Sequence, residues 1–413
     1  MIVVDEEQDA SFKQEEKPHY NAVEVARRRA LEEGAVLLLG SATPSLETYS
    51  KALGGDIGYL VLRSRPAGGK MPTVEVVDMR GRDDLISTEL LDALEQVHDR
   101  GEQAIILLNR RGHANYIQCR KCGWIARCPN CSISLTYHSR GNDLICHYCG
   151  IEKKPPEACP SCGKYGMIHR GIGTQRIELE LGNLVPGLRV LRMDLDSTSG
   201  TGGHLKVLEQ FAKREKDVLL GTQMVAKGHH YPGVTLVGVI SADGGLNFPD
   251  FRAAERTFRL LSQAAGRTGR GEREGRVIVQ TFAPDHFLFA HLVEHDYEGF
   301  AEQELEQRRE LRYPPFGDVA LFTLSARSEE RARGASELLA KSLASSLDLG
   351  KHSVLGPTEA LVGRLRGRYR FHLLIKGGLG DKARKDLIAA AKKVLKETKG
   401  VDLRWDFEPV QFS

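Results

Sequence analysis

The sequence predicts an α/β protein built in several parts, and three observations carry that reading. Short apolar runs alternate with amphipathic stretches from Ile2 to Gln280, the rhythm of a mostly parallel sheet covered on both faces. All eight cysteines fall between Cys119 and Cys162 and interrupt that rhythm once. Beyond Tyr313-Pro-Pro-Phe-Gly317 the order becomes strand, helix, strand, strand, helix, strand, which closes as a βαββαβ split sandwich. A length of 413 residues leaves room for separate cores, since a usual domain takes roughly 100–150 residues.

The first segment reads strand, helix, strand. Ile2–Val4 is a short apolar strand ending at acids, Asn21–Leu31 is amphipathic, and Val36–Leu39 is a second buried strand broken by Gly40 and Pro44. A further strand is expected at Val74–Val77, and the α/β pattern over 1–80 reads as a poor complete domain, with no earlier strands to pair with. The second domain, 81–300, starts with a helix at Thr88–Arg100 and a strand at Ala104–Leu108. After the cysteine block (116–167) it resumes with helices at Gln175–Leu181, His204–Ala212 and Ala253–Ala265. These alternate with strands at Leu188–Met193, Asp217–Leu220, Thr235–Ile240 and Arg276–Gln280. A charged helical stretch around Ala301–Glu310 opens the last domain, 301–413. Its elements are strand 318–325, helix 329–346, strands 352–355 and 369–376, helix 381–397 and strand 401–408. In the last strand Val401, Leu403, Trp405 and Phe407 alternate with Asp402, Arg404, Asp406 and Glu408.

Hydrophobic residues at 41% and charged residues at 27% exclude general disorder. No apolar run reaches the ~20 residues of a membrane helix, and Asp5, Glu6 and Glu7 follow too early for a signal peptide. A soluble intracellular protein is expected. Fifty-eight basic against 55 acidic residues settle nothing about partners, but the local balance does. Ten basic and three acidic residues lie between Arg110 and Arg170, and a second basic stretch runs from Arg364 to Lys376.

The cysteines form four Cys-x-x-Cys pairs, separated by five, fourteen and nine residues. In a large chain without an export signal this pattern points to two structural Zn²⁺ ions, each held by four thiolates, rather than to disulfides. Residues 132–145 can form a hairpin that brings Cys128 and Cys131 against Cys146 and Cys149. Cys119, Cys122, Cys159 and Cys162 then meet beneath it. The alternative is sequential grouping of Cys119 to Cys131 across the cramped five-residue link. His138 and His147 are potential substitutes for a thiolate, but eight cysteines already complete two tetrahedra. The module's basic surface can meet DNA or a protein partner, or simply be a solvated face around a metal staple.

An apolar strand ending in Asp5-Glu6-Glu7 is suited to phosphoryl chemistry: Asp5 on the Mg²⁺ side, Glu6 orienting or deprotonating water. A plain solvated acidic turn accounts for the same residues. Ser41 and Thr43 in Gly40-Ser-Ala-Thr-Pro44 are placed to hydrogen-bond that turn, or to make an ordinary Ser/Thr/Pro turn. Arg267 and Arg270, three apart after a long helix, can share a face and stabilise a transferring phosphoryl group. Solvated helix-end charges are the competing account.

Together these residues resemble the primosomal protein N′ family of replication-restart helicases, within superfamily 2, over essentially the whole chain. Asp5-Glu-Glu-Gln8 resembles its motif II, Gly40-Ser-Ala-Thr-Pro-Ser45 motif III, and Leu108-Asn-Arg-Arg-Gly112 the region of motif IV. Gly221-Thr-Gln-Met-Val-Ala-Lys-Gly228 resembles motif V, and Gln263–Arg270 motif VI. Cys146-His-Tyr-Cys-Gly150 and the turn Arg364-Leu-Arg-Gly-Arg-Tyr-Arg370 extend the likeness.

The resemblance implies a partial first RecA-like lobe, a second RecA-like lobe carrying the inserted double-zinc module, and a final α/β domain. It implies an ATP- and Mg²⁺-dependent 3′→5′ DNA helicase that recognises stalled forks. ATP would lie between Asp5 and Glu6 on one lobe and Arg267 and Arg270 on the other, with Gln263, Ser41, Thr43 and Gly228 near nucleotide. Phe12, Tyr20 and Lys13 (with Lys17 nearby), Lys227, Arg368 and Arg370 would meet single-stranded, duplex or forked DNA. The implied partners are primosome proteins, single-stranded DNA-binding protein and the machinery that reloads the replicative helicase. The implied location is the bacterial cytoplasm, at the nucleoid, without a membrane.

The sequence departs from the family in three places. Gln8 stands where the acids are usually followed by histidine, and it cannot titrate near neutrality. His19-Tyr-Asn21 differs from the usual basic aromatic segment. No Gly-x-x-x-x-Gly-Lys-Ser/Thr precedes the acids, so Met1 is not expected to be a natural domain boundary and this chain alone is expected to lack normal ATP hydrolysis. The alternative is a zinc-stabilised DNA-binding or primosome scaffold without ATPase activity.

Overall fold

The computed structural model describes residues 1–14, 19–62, 70–108, 115–139, 141–169, 174–193, 203–222, 225, 231–268, 274–410 and 412. They divide into two bodies: Met1–Val61 with Tyr148–Gly150 and Ala301–Ser413, and Leu62–His147 with Ile151–Phe300.

In the first body, Ile2–Asp5 pairs in parallel with Leu37–Gly40, in the register Asp5↔Gly40. The connecting helix Ala22–Glu33 starts where the Asn21 side chain accepts from Val23 N and stops at Gly34, whose φ of 62° ends the helical turn. Among the described residues this sheet has two strands, and it leaves Val3 55% and Leu38 45% exposed. Parallel strands are usually covered on both faces, so this exposed apolar face departs from the ordinary pattern.

The same body holds a four-stranded antiparallel sheet in the order His352–Leu365, Arg368–Gly377, Asp318–Ala326, Val401–Phe407. Helices Glu329–Ser346 and Asp381–Glu397 cover one side. Ala320, Phe322, Leu324 and Ala326 alternate into that core with Phe371, Leu373 and Ile375 from the next strand. Val401 joins them, with Leu403, Trp405 and Phe407 packed at the margin. This is the βαββαβ arrangement expected from the sequence.

The second body is built on six parallel strands in the order Val190–Met193, Val218–Gly221, Gln103–Leu108, Val234–Ile240, Arg276–Thr281, Thr73–Asp78. Ile105 and Leu107 point into one core with Phe258 and Leu261 of helix Ala253–Ala265. Ala104, Ile106 and Leu108 point into the other, with Leu90 and Leu94 of helix Thr88–Asp99 and Ile177 of helix Thr174–Leu184. Gly238 permits this closeness: a Cβ there would stand 2.6 Å from Ile106 Cδ1 and 2.7 Å from Leu90 Cδ1.

The edge strand is a correction. Chain order suggests that Val74–Val77 belongs with the first lobe, ending at residue 80, but Thr73–Asp78 pairs with Arg276–Thr281 along its whole length. A parallel strand can join either edge of a sheet through a crossover, so its neighbour in sequence does not reveal its neighbour in space. No helix among the described residues is long and apolar enough to cross a membrane.

Candidate metal centres and nucleotide-site residues

The cysteine pairs share one backbone device. Cys119, Cys128, Cys146 and Cys159 each donate their amide to the carbonyl five residues on: Trp124 O at 2.8 Å, Ile133 O at 2.8 Å, Ile151 O at 3.0 Å and Lys164 O at 3.0 Å. Gly123 N, Ser132 N and Gly163 N donate back to the first cysteine's carbonyl at 2.8–2.9 Å. The residue at this turn has positive φ in all four cases: Gly123 77°, Ser132 56°, Gly150 76° and Gly163 69°. Three glycines are legible as turn residues in the sequence; Ser132 is the one that residue type conceals.

These turns gather the sulfurs into two groups, Cys119/Cys122/Cys159/Cys162 and Cys128/Cys131/Cys146/Cys149, with the ligand atoms of each group within 4.8 Å of one another. This is the nested grouping, not the sequential one. Cys119 and Cys162 Sγ are 3.7 Å apart, and Cys122 and Cys159 Sγ are 3.5 Å apart. Disulfides require about 2.05 Å, whereas thiolates about 2.3 Å from one tetrahedral zinc lie about 3.8 Å apart. The donor set therefore fits zinc. Within the outer group the Lys164 amide holds the Cys162 thiol down at about 7, while burial pushes the Cys122 thiol up to about 12.

The outer cluster is joined to the six-stranded sheet. Ile117–Cys119 pairs antiparallel with Met167–His169, closing the insertion at its base. Gln118 Nε2 donates to Asp243 Oδ1 at 3.2 Å, and Asp243, fully buried, also accepts from Thr281 Oγ1 at 3.2 Å and Phe282 N at 3.1 Å. A Cβ at Gly123 would overlap the Phe282 carbonyl oxygen. Arg120 donates to Arg82 O at 3.0 Å and pairs with Asp83 at 2.7 Å. Sequence reasoning missed Asp243; its only signal is an acid directly after the apolar strand ending Ile240-Ser-Ala242.

In the first body, Asp5 ends its strand and accepts from Glu6 N at 3.0 Å; both acids are exposed. Glu6 has a φ of 51°, and the Gln8 side-chain amide donates to its carboxylate. Buried Glu7 accepts from Ser45 N at 2.6 Å, Ser45 Oγ at 3.2 Å and Thr48 Oγ1 at 3.0 Å, which ties the acidic turn to the start of helix Leu46–Leu53. Ser41 and Thr43 were the expected link. Ser41 Oγ instead accepts from Thr43 N at 3.0 Å, and Glu7 with Ser45 forms the connection that sequence reasoning missed.

In the second body, Gln263 lies in the last turn of helix Ala253–Ala265, and Arg267 N donates to Ala264 O at 3.0 Å just beyond it. Buried pairs stiffen this helix: Arg256 with Asp250 at 2.7 Å and Arg259 with Glu255 at 2.8 Å. Arg270, Lys227 and Gly228 lie outside the described residues, as do Lys17, Gln223 and all of Asn109–Gly112.

The DNA candidates occupy different settings. Tyr20 is 49% exposed and Phe12 half-buried. The Lys13 ammonium is committed to Asp406 at 2.9 Å and donates to Phe407 O at 3.2 Å, so its charge is answered within its own body. Arg368 pairs with Asp402 at 2.7 Å and donates to Ser325 O at 2.8 Å. Burial, then the nearby Arg404, holds the Arg370 guanidinium below its ordinary value.

Residues 309–410 match the family described as the primosomal protein N C-terminal domain, 128–154 the PriA DNA helicase Cys-rich region, and 175–272 the helicase conserved C-terminal domain. The replication restart protein PriA of Bacillus subtilis is 44% identical over 404 residues, covering 97% of this chain and 50% of that protein. The PriA proteins of Treponema pallidum and Haemophilus influenzae are 40% and 36% identical, covering 91% and 100% of this chain and 57% of each relative. The chain spans about half the length of the curated relatives it matches.

Proposed function

Because the chain carries the carboxyl-terminal, cysteine-rich and helicase modules of the PriA replication-restart family, we propose that it is the carboxyl-terminal part of an ATP-driven 3′→5′ DNA helicase that acts at stalled forks. The observation that carries this is the pair of four-thiolate clusters whose base, through Gln118 and Asp243, is fixed to a parallel six-stranded sheet. Zinc, when bound, supplies a rigid fourfold cross-link with no open position, and the module serves as a stiff projection rather than a catalyst. In this reading DNA, other primosome proteins, single-stranded DNA-binding protein and the helicase-loading machinery are the partners.

The nucleotide roles rest on residue chemistry for Asp5, Glu6, Arg267 and Arg270, and on the family resemblance for Gln263. Asp5 stands on the magnesium side, and Glu6 orients the attacking water. Arg267 and Arg270 face the transferring phosphoryl group, with Gln263 beside the nucleotide. Mg²⁺, when bound, neutralises charge on the phosphates. Glu7, held by Ser45 and Thr48, keeps the turn carrying Asp5 and Glu6 in place. Val3 and Leu38, opposite each other on one face of the two-stranded sheet, offer an apolar surface suited to the covering layer that parallel strands usually carry. Tyr20 and the basic turn Arg364–Arg370 would meet DNA.

The test is ATP hydrolysis with DNA present. The chain alone is expected to show negligible turnover, and adding a first lobe with a phosphate loop is expected to restore it. Robust turnover by the chain alone, abolished by Glu6→Gln, would overturn the need for that loop.

A further inference from the structure

Two imidazoles beside the inner thiolate cluster have no part in the reading above. His138 ends the strand Thr136–His138, and His147 follows Cys146. Their Nε2 atoms are 3.2 Å apart, with ring centroids separated by 5.2 Å and planes inclined at 49°. His147 is buried and His138 half-buried, so the pair opens to solvent on one side. We propose that this pair is a further metal site, an exchangeable one for a first-row divalent ion such as Zn²⁺, with the two Nε2 atoms as protein ligands and water completing the shell.

The distance is the first argument. Two nitrogens about 2.0–2.1 Å from one zinc ion lie about 3.4 Å apart at a tetrahedral angle and about 2.9 Å apart at a right angle. The observed 3.2 Å falls between these limits. Imidazole is a good ligand for zinc, copper and nickel. Each ring then carries its proton on Nδ1 and turns the Nε2 lone pair to the ion.

Rigidity is the second argument. Thr136–His138 and Asp143–Ile145 are paired with His138 opposite Asp143, and the adjacent Cys146 belongs to the inner thiolate group. Both rings therefore project from a backbone that the hairpin and the thiolate turn already fix. Asp143 is ion-paired with Lys154 at 2.7 Å, and among the described residues no third His, Cys, Asp or Glu ligand atom clusters with the two imidazoles. Two nitrogens and water bind more weakly than four thiolates, so this ion exchanges while the thiolate-held ions stay.

The test is calorimetric titration of the full chain with ZnCl₂, after loading with zinc and dialysis to remove loosely held metal. The wild-type protein is expected to take up one more ion than His138→Asn or His147→Asn, or to bind it at least tenfold more tightly. Circular dichroism and the retained zinc count check the fold. If His147→Asn disturbs its neighbouring cysteine, His138→Asn decides alone, because it lies outside the cysteine turns. The comparison is a difference between variants, so it stands apart from how many ions the thiolates hold. Equal uptake by the wild type and His138→Asn, or none beyond the retained ions, means a plain imidazole–imidazole hydrogen bond and overturns the proposal.

Discussion

Gln118 and Asp243 lie 125 residues apart in sequence and 3.2 Å apart in space, amide nitrogen to carboxylate oxygen. Gln118 immediately precedes the first metal-site cysteine, and Asp243 begins a short helix after the central strand Val234–Ile240. The carboxylate also receives Thr281 Oγ1 and Phe282 N, so one buried acid gathers donors from the insertion and from the end of a second strand. Asp243→Ala strips three buried donors of their acceptor and is expected to cost about 3 kcal/mol, read from chemical denaturation. An unchanged midpoint would show that the insertion's base is held by something else.

Metal content tests the nested grouping. Intact chain is expected to hold two tightly bound zinc ions by elemental analysis, and Cys159→Ser to hold one, because it opens only the outer group. In the sequential grouping Cys128→Ser would disturb the same site as Cys119→Ser. The nested geometry expects those two variants to lose different ions, so that the double variant retains none.

The acidic turn offers a stability measurement independent of nucleotide. Glu7→Ala removes the acceptor for Ser45 N, Ser45 Oγ and Thr48 Oγ1. It is expected to cost about 2 kcal/mol, less than the sum of three bonds because the hydroxyls can turn to water. In a chain complemented for ATP hydrolysis, Arg270→Ala is expected to lower turnover by about two orders of magnitude or more. Turnover at the wild-type rate would remove Arg270 from the nucleotide site.

His286 predicts a pH dependence. It caps helix Phe287–Val293 by accepting from Leu288 N at 3.3 Å, and burial, with the charge of Arg127, pushes its pKa down from 6.5 to about 4. The unfolded chain therefore binds the extra proton first. The contribution is fully present above pH 6.5 and is lost as pH falls towards about 4. Thermal denaturation of the wild type against His286→Asn, which keeps a capping oxygen, is expected to show about 2 kcal/mol of divergence across that window. Parallel profiles would mean that the imidazole is protonated in the folded state.

DNA affinity separates two kinds of basic residue. Lys13→Ala is expected to lower stability but leave DNA affinity unchanged, since its charge is spent on Asp406. Arg368→Ala is expected to weaken binding across sequences and to reduce the salt slope by about 1. An unchanged slope would assign Arg368 to its pairing with Asp402 alone.

Local periodicity and fixed spacing were enough for much of this protein. The helices at 329–346 and 381–397 and the alternation of Val401, Leu403, Trp405 and Phe407 are written in nearest-neighbour pattern. Loop lengths of five, fourteen and nine residues favour the nested cysteine pairs over the sequential ones, and the gathered sulfurs decide between them. Tertiary structure decided the contacts that cross the chain: Thr73–Asp78 at the sheet edge, Glu7 on Ser45, Lys13 on Asp406, and Asp243 beneath the metal module. A buried carboxylate or ammonium is recognisable by residue type, but its partner is whichever donor or acceptor the fold delivers, and neither period nor spacing encodes that meeting.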